Sequence, residues 1–309
     1  MLPFKLVWHP GYDLNLGNHV FPSNKYRLVR DRLLAERFAA HADFVQPEPA
    51  PDEDVLLVHT PEWVKKLCKG TLTYYDLLKL ELPYSRQTVH AFWLAAGGTT
   101  LAARLALRDG VCVNLGGGFH HAFPDHGEGF CAIHDAAIAV RRLQREGLVE
   151  RVMFVDCDVH QANGTAAIFA HDRSVFTFSI HQSNNYPAEK PPSDLDIDLE
   201  DETGDAEYLE KLRAALVPAL AAHRPQLVVL VAGADPYYRD QLGGLSLTID
   251  GLMARDRMVF ATALMQRVPV VAVLAGGYAV QVEETVTIHG NTAKAAKEVL
   301  DRVRWMRGR

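Results

Sequence analysis

Short runs of consecutive apolar residues recur along the chain, and longer segments with helical spacing separate them. The five clearest runs are rich in Val, Leu, Ile and Phe and cover residues 111–114, 152–156, 175–180, 227–232 and 270–275. A strand that is buried on both faces produces such a run, whereas a half-exposed strand alternates apolar and polar positions. The pattern therefore predicts five strands of a buried parallel sheet.

Helical spacing of apolar residues marks the segments between these runs. The predicted helices cover residues 24–41, 85–108, 135–146, 164–170, 205–222, 250–267 and 282–302. A further short helix is predicted from Pro61, with Thr60 as its N-cap. Strand followed by helix, repeated, predicts an α/β fold whose central parallel sheet is flanked by helices on both faces.

Two segments lack either pattern and are predicted to be irregular. Residues 43–54 are acidic and rich in proline, which is typical of a surface loop. Residues 181–204 form a long connection, and loops of this length inside a compact domain are often functional. No internal repeat or low-complexity tract interrupts the chain, so we expect one domain over residues 1–309.

Composition and charge narrow the range of functions. The 309 residues are 48% hydrophobic and carry a formal net charge of -6, which argues against a dedicated nucleic-acid binder. The N-terminus lacks the features of a signal peptide, and the longest apolar run, residues 227–234, is too short to cross a membrane. Four cysteines without a CxxC pair favour reduced thiols, so we expect a cytoplasmic protein. The oligomeric state is left open.

Polar side chains follow four of the predicted strands. Three glycines and then His120 and His121 follow the first strand, and Asp156-Cys-Asp158-Val-His160 ends the second. Asp235 follows a later strand at residues 227–232, and Tyr278 follows the last one. Because ligands of parallel sheets bind outside the carboxyl ends of the strands, we expect these side chains to share one site.

Asp158, His160 and Asp235 are the candidate metal ligands. Residues two apart in an extended segment point the same way, so Asp158 and His160 can hold one ion together. Two carboxylates and one imidazole leave a coordination position open for water, as in catalytic zinc sites. Fe²⁺ or Co²⁺ suits the same ligands. The alternative is that Asp158 and His160 form a salt bridge that caps the next helix.

His120 and His121 are suited to proton transfer, because imidazole titrates near neutral pH. Asp156 is expected to accept a hydrogen bond from one histidine and fix its tautomer. Asn163 is the neutral counterpart for the other histidine. A histidine pair in a solvated loop is the alternative interpretation.

Aromatic residues near the glycines complete the candidate site. The phenol of Tyr278, after Gly276 and Gly277, can stabilise a developing oxyanion. Phe119 and Phe130 can face each other across a narrow slot for an alkyl chain, or can simply pack in the core.

In this order, these residues resemble the histone deacetylase family of zinc-dependent deacylases. The motifs are GGGFHH at 116–121, GEGFCAIHD at 127–135, VDCDVHQANGT at 155–165, AGADPYYRDQLGGLSLT at 232–248 and LAGGYA at 274–279. The resemblance implies the arginase-like fold and hydrolysis of the amide bond of acyl-lysine by a metal-activated water.

By the same resemblance, zinc falls on Asp158, His160 and Asp235, with His120, His121, Tyr278, Asp156 and Asn163 around it. The resemblance also implies a structural monovalent cation, K⁺ or Na⁺, held by Asp156, Asp158, His160, Ser179 and Ile180. The predicted substrate tunnel is lined by Gly118, Phe119, Gly129, Phe130, Tyr186, Gly276 and Gly277.

Two departures from the family pattern bear on the substrate. Many members read DLHHGDG where this chain has Gln161 and Asn163, a pattern similar to class IV and its bacterial relatives. The loop that carries the family's substrate-binding Asp at the rim has no recognisable counterpart. The acyl chain length therefore stays open, as does the choice between an acyl-lysine protein or peptide and an acylated small amine such as an acetylpolyamine. A non-catalytic binder is a further alternative, and the complete set of metal-ligand, histidine and tyrosine residues argues against it. An arginase-type ureohydrolase is another, and it would need more acidic residues near Asp158 than this chain has.

Overall fold

One parallel sheet organises the protein, for which a computed structural model describes residues 1–308. In that range the sheet has eight strands, and every pairing between them is parallel. They are β1 (Leu6–Val7), β2 (Phe44–Val45), β3 (Val111–Asn114), β4 (Val152–Asp156), β5 (Val175–Gln182), β6 (Leu195–Leu199), β7 (Leu227–Val231) and β8 (Val270–Val273). Their order across the sheet is β2-β1-β3-β8-β7-β4-β5-β6.

Helices connect the strands and cover the sheet. Those of residues 1–308 are α1 (Lys25–Ala35), α2 (Asp52–Val55), α3 (Pro61–Lys69), α4 (Tyr74–Leu80), α5 (Arg86–Asp109), α6 (Asp135–Arg145), α7 (Asn163–Phe169), α8 (Asp205–His223), α9 (Ile249–Met265) and α10 (Val282–Arg307). The predicted start of α3 is confirmed, because Thr60 caps it by accepting a hydrogen bond from the Trp63 N–H. None of the helices within residues 1–308 has both the length and the apolar character needed to cross a bilayer.

The central strands divide the hydrophobic core between the two faces of the sheet. In β3, Val111 and Val113 face the larger cluster, which the apolar faces of α8, α9 and α10 complete. Cys112 faces the opposite cluster, where small apolar residues of α5 and α6 pack. Because both faces are covered, every residue of β3, β4, β7 and β8 is buried. The predicted α/β fold, a single domain with helices on both faces of a parallel sheet, is confirmed.

The edges of the sheet differ from the prediction. Residues 181–204 are not irregular throughout, because β6 pairs with β5 along the register Phe178↔Leu195 to Gln182↔Leu199. Residues 43–54 likewise contain β2 and the start of α2. Neither edge strand forms a continuous apolar run, because β2 has only two residues and β6 alternates apolar and acidic positions.

The first helix is shorter than predicted. It ends at Ala35 rather than at residue 41, because Arg37 adopts a left-handed conformation with φ of 56°. The chain then turns back, and the N–H groups of Phe38 and Ala39 both donate to the carbonyl of Leu33. The bonds to Leu33 satisfy a carbonyl that the end of a helix leaves free.

Candidate active site

Four neighbouring strands deliver the predicted site residues to one edge of the sheet. The strands β3, β8, β7 and β4 are adjacent in that order, and their last residues lie in register. The histidine loop, Tyr278, Asp235 and the Asp158–His160 pair follow these four ends. The topology therefore brings together side chains that are up to 158 positions apart in sequence, from His120 to Tyr278.

Asp158, His160 and Asp235 form a compact, buried cluster. One potential ligand atom from each residue lies within 4.8 Å of the other two. The residues are 1%, 7% and 0% exposed, respectively. Backbone groups hold both carboxylates, because the Val159 N–H donates to Asp235 Oδ1 at 2.9 Å and the Gly276 N–H donates to Asp158 Oδ2 at 3.0 Å.

The chemistry of this cluster fits a divalent cation. Asp235 Oδ2 is buried and makes no hydrogen bond, with His160 Nδ1 lying 3.4 Å away. Burial and the adjacent Asp158 carboxylate raise the pKa of Asp235 to about 7. A buried carboxylate oxygen without a partner is costly, and two facing carboxylates repel. A cation bound between the three side chains relieves both penalties.

Glycines and one aspartate shape the loop that carries the histidine pair. Gly117 and Gly118 have φ values of 72° and 83°, and a Cβ on Gly118 would lie 2.7 Å from the Ala275 backbone. Asp135, at the start of α6, accepts hydrogen bonds from the N–H groups of Gly118 and Phe119 at 3.0 and 2.8 Å. The loop is therefore fixed by contacts that only glycine and this carboxylate provide.

The two histidines have different partners. His120 Nδ1 lies 2.8 Å from Asp156 Oδ2, whereas His121 Nδ1 lies 2.6 Å from the amide oxygen of Asn163. Burial opposes charge on His120, but the nearby carboxylates of Asp156 and Asp158 outweigh it and raise its pKa to about 9. Burial and the neighbouring His120 lower the pKa of His121 well below its usual value. The pair thus offers one imidazole that favours a proton and one that favours the neutral form.

Tyr278 is held by its backbone. Its N–H donates to Asp240 Oδ2 at 2.6 Å, and its carbonyl accepts a hydrogen bond from Gln241 Nε2 at 2.6 Å. Lys25 Nζ, fully buried, donates to the carbonyl of Ala275 at 2.7 Å and braces the same loop. Burial and the negative charge of Asp235 raise the pKa of the Tyr278 phenol well above its usual value, so the phenol keeps its proton.

A narrow cavity of about 180 Å³ leads to the cluster. Its lining residues are Glu81, His121, Gly129, Phe130, His160, Asn185, Tyr186, Leu242 and Tyr278. The ring of Tyr186 meets His121 edge-on, with 4.9 Å between the ring centroids, and Phe130 meets Tyr278 in the same way at 6.0 Å. We call this cavity the tunnel. Gly118, Phe119 and Gly276 line a smaller cavity of about 20 Å³ beneath it.

Phe119 and Gly277 are not among the residues that line the tunnel. Phe119 packs edge-on against Phe92 in the core, with 4.6 Å between the ring centroids, and lines the smaller cavity together with Phe130. Gly277 is packed against Thr285 and Ala234, behind the loop that carries Tyr278. Phe130 lines the tunnel together with Tyr186 and Leu242. The packing of Phe119 in the core agrees with the alternative given above, and its place in the substrate tunnel stays a prediction.

Sequence reasoning missed Glu81, Asn185 and Leu242 in the tunnel. Leu242 belongs to the motif around Asp235, which was a usable signal, whereas Glu81 ends α4 in a segment without any motif. Main-chain hydrogen bonds place Glu81 at the site, since the N–H groups of Gly129 and Phe130 donate to the carbonyls of Lys79 and Leu80.

The residues predicted to hold a monovalent cation lie at the ends of neighbouring strands. Asp156 of β4 pairs with Ser179 of β5, and Ile180 follows in the same strand. The Ser179 hydroxyl contacts His181 Nδ1 at 2.9 Å. Asp158 and His160 continue from β4, so the predicted set is contiguous in space along the β4–β5 pair.

Comparisons with known proteins agree with this architecture. The Histone deacetylase domain family matches residues 19–293. An uncharacterised protein of Picosynechococcus sp. is 42% identical over 96% of this chain and 99% of its own. Histone deacetylase 2 of Arabidopsis thaliana is 30% identical over 88% of this chain and 74% of its own. A probable deacetylase of Methanothermobacter thermautotrophicus is 32% identical over 88% of this chain and 85% of its own.

The crystal structure of the HDA15 HD domain is similar in fold. It superimposes with a TM-score of 0.80 and covers 96% of this chain and 90% of that one, at 23% identity. The family match extends over most of the chain, and the strand ends carry the side chains described above. The chain therefore belongs to the histone deacetylase family of hydrolases and has its arginase-like fold.

Proposed function

We propose that this protein is a zinc-dependent hydrolase that removes acyl groups from the side-chain amine of lysine. The observation that carries the proposal is the buried Asp158–His160–Asp235 cluster at the base of the tunnel, with an unpartnered carboxylate oxygen. The histidine pair and Tyr278 surround the same point. This combination matches the needs of metal-assisted amide hydrolysis.

Asp158, His160 and Asp235 would hold the metal. Two carboxylates and one imidazole form a three-ligand set typical of catalytic zinc, and Fe²⁺ or Co²⁺ suits it as well. When bound, the metal supplies Lewis acidity that activates water and polarises the acyl carbonyl.

The protein's own groups then handle protons and charge. His121, whose partner is a neutral amide, accepts the proton that water loses as it attacks the carbonyl. His121 then passes that proton to the leaving amine, while His120, paired with the Asp156 carboxylate, keeps a positive charge beside the reaction. Tyr278 donates a hydrogen bond from its phenol to the oxyanion, in a tunnel that Phe130 and Tyr186 also line.

The shape of the tunnel favours a linear substrate. Its apolar walls are Phe130, Tyr186 and Leu242, and its volume is about 180 Å³. A lysine side chain is an unbranched chain of four methylene groups, which fits between two aromatic rings. We therefore propose an acyl-lysine protein or peptide as substrate. Gln161 and Asn163 favour the class IV-like branch within the family.

An acetylpolyamine is the second candidate. Glu81 lines the tunnel, and a carboxylate at this position can bind a second ammonium group of a polyamine. The acidic segment 194–205 contains β6, which pairs with the β5 strand. Substrate measurements separate the two candidates directly.

We also propose that K⁺ or Na⁺ binds beside the zinc ligands, at Asp156, Asp158, His160, Ser179 and Ile180. The support is the contiguity of these residues at the ends of β4 and β5. We expect K⁺ to raise the thermal stability of the protein more than an equal concentration of tetramethylammonium, and equal stability in both salts would contradict this assignment.

A matched substrate panel tests the function. Zinc-loaded protein is incubated with lysine peptides that bear acyl groups from acetyl to myristoyl, and with acetylpolyamines. We expect the protein to hydrolyse the peptides. A chelator should abolish this turnover, and Tyr278→Phe should reduce it. Turnover of polyamines alone would replace the substrate assignment, and no turnover of any substrate by protein with zinc bound would refute the hydrolase assignment.

A further inference from the structure

Glu128 lies behind the catalytic histidines, outside the metal cluster and the tunnel. Its Oε1 atom accepts hydrogen bonds from Asn163 Nδ2 at 2.9 Å and from the Tyr186 hydroxyl at 2.6 Å. Its side chain is 18% exposed, and it borders a second cavity of about 700 Å³ beside the tunnel. Glu128 therefore contacts both the partner of His121 and the ring that packs against His121.

His121, Asn163 and Glu128 form a chain of hydrogen bonds, and the ionised carboxylate of Glu128 determines which group donates in each bond. An ionised carboxylate has no hydrogen to donate, so the Asn163 group that faces Glu128 must be the NH₂. Burial opposes ionisation of Glu128, but hydrogen bonds from His126 and Tyr186 lower its pKa below the usual value. The carbonyl oxygen of Asn163 then faces His121 Nδ1 at 2.6 Å, so Nδ1 carries the hydrogen and Nε2 presents a lone pair.

We propose that Glu128 is a positioning residue, which orients the Asn163 amide and thereby holds His121 in the tautomer that acts as a base. The kinetic consequence rests on the proposed hydrolase function, whereas the tautomer itself is a property of the resting protein. Glu128 is not itself part of the tunnel lining or of the metal cluster, so its effect reaches the reaction through Asn163, which holds His121, and through Tyr186, which lines the tunnel.

An asparagine in this position needs such support because its side chain has two different ends. A carboxylate would accept a hydrogen bond from His121 in either rotation, but an amide rotated by half a turn would present its NH₂ to the imidazole. The Gly164 N–H also donates to Asn163 Oδ1, at 3.0 Å, and favours the same rotation. Glu128 fixes the opposite end of the amide, so both ends are held.

Nitrogen NMR of histidine-labelled, metal-free protein measures the tautomer without any substrate. The signals of His121 are assigned by their loss in His121→Gln. We expect hydrogen on Nδ1 in the wild type, and a mixture of both tautomers in Glu128→Met, which keeps the length of the side chain but removes the acceptor. A wild-type His121 with hydrogen on Nε2, or an unchanged Nδ1–H tautomer in Glu128→Met, would overturn the proposal.

Substitutions of Glu128 and Asn163, alone and combined, test the direction of the hydrogen bonds through the kinetics of the zinc-loaded protein. Glu128→Met should lower kcat roughly tenfold with little change in KM, the size expected for losing the hydrogen bond that orients the Asn163 amide. Glu128→Gln should stay near the wild type, because glutamine still offers an oxygen. Asn163→Asp alone places two carboxylates face to face and should lower kcat about as much. Adding Glu128→Gln to Asn163→Asp should restore most of the loss, because the glutamine then donates.

Glu189→Gln is the matched control, since Glu189 borders the same second cavity but makes no hydrogen bond to Asn163. Its kcat should equal that of the wild type. A double variant no better than Asn163→Asp alone, or an equal loss in Glu189→Gln, would contradict the proposal. If no variant and no wild type turns over any substrate, the proposed function fails, while the NMR result still decides the role of Glu128.

Discussion

The Gly276→Ala variant tests whether the buried cluster binds metal. Gly276 lies between the two carboxylates, and its N–H donates to Asp158 Oδ2 at 3.0 Å. An ideal Cβ at this position lies 2.6 Å from Asp158 Oδ2 and also collides with Asp235 Oδ2. The substitution adds a single methyl group directly against two of the three potential ligands.

The size of the effect follows from these distances. Ordinary contact with a Cβ begins at 3.4 Å, so Asp158 Oδ2 must move by about 0.8 Å. Metal–ligand distances tolerate only about 0.2 Å. Disturbing the groups that orient metal ligands typically costs 10- to 100-fold in affinity, or about 1.4 to 2.8 kcal/mol. We expect zinc affinity of Gly276→Ala to fall by at least that much.

Competition with a zinc-binding dye measures the affinity, and Gly290→Ala is the control. The nearest atom to a Cβ on Gly290 is Leu33 Cδ2 at 3.8 Å, so the same methyl group fits there without displacement. Thermal unfolding of the metal-free proteins shows that both variants are folded. A folded Gly276→Ala protein that binds zinc within threefold of the wild type would refute the assignment of the metal site.

Three further predictions concern catalysis, metal removal and pH. Tyr278→Phe should lower kcat about 100- to 1000-fold without changing zinc affinity, and near-normal turnover would remove the phenol from the mechanism. A chelator should lower the melting temperature, because bound zinc at 100 times its Kd adds about 2.7 kcal/mol to the free energy of unfolding. Calorimetry with and without chelator measures the change, and equal melting temperatures would contradict the prediction. Burial lowers the pKa of His59 to about 4, so between pH 6.5 and 4 the unfolded state binds a proton that the folded state does not. The contribution of His59 to the free energy of unfolding is therefore complete above pH 6.5, and about 3 kcal/mol of it is lost as pH falls to 4. Denaturant titrations at several pH values should show a smaller loss of unfolding free energy at low pH in His59→Gln than in the wild type. An identical dependence of stability on pH in the two proteins would contradict this prediction.

The centre of the fold was predictable because burial on both faces leaves a direct trace in the sequence. The strands β3, β4, β7 and β8 were predicted to within two residues at their ends. The strand β6 was missed although Leu195, Ile197 and Leu199 alternate with acidic residues, which is the pattern of a half-exposed strand. The strands β1 and β2 have two residues each, too few to carry any period.

The site was predictable where its residues follow strands, and not where they come from elsewhere. The order of the strands gathers Asp158, Asp235 and Tyr278 at one edge, and that edge follows from the alternation of strand and helix. Lys25 reaches Ala275 across 250 positions, and Glu128 reaches Asn163 across 35. Such contacts depend on how loops pack against the sheet, which no local period encodes.

The place of β8 in the sheet has a consequence for how the protein is made. Within residues 1–308 it is the last strand in sequence, yet it lies between β3 and β7, at the middle of the sheet. While the ribosome has not yet released residues 270–273, the two halves of the sheet have no common partner, and each presents an unpaired apolar edge. The two halves can therefore join only after residues 270–273 have emerged, and until then their apolar edges favour aggregation and chaperone binding.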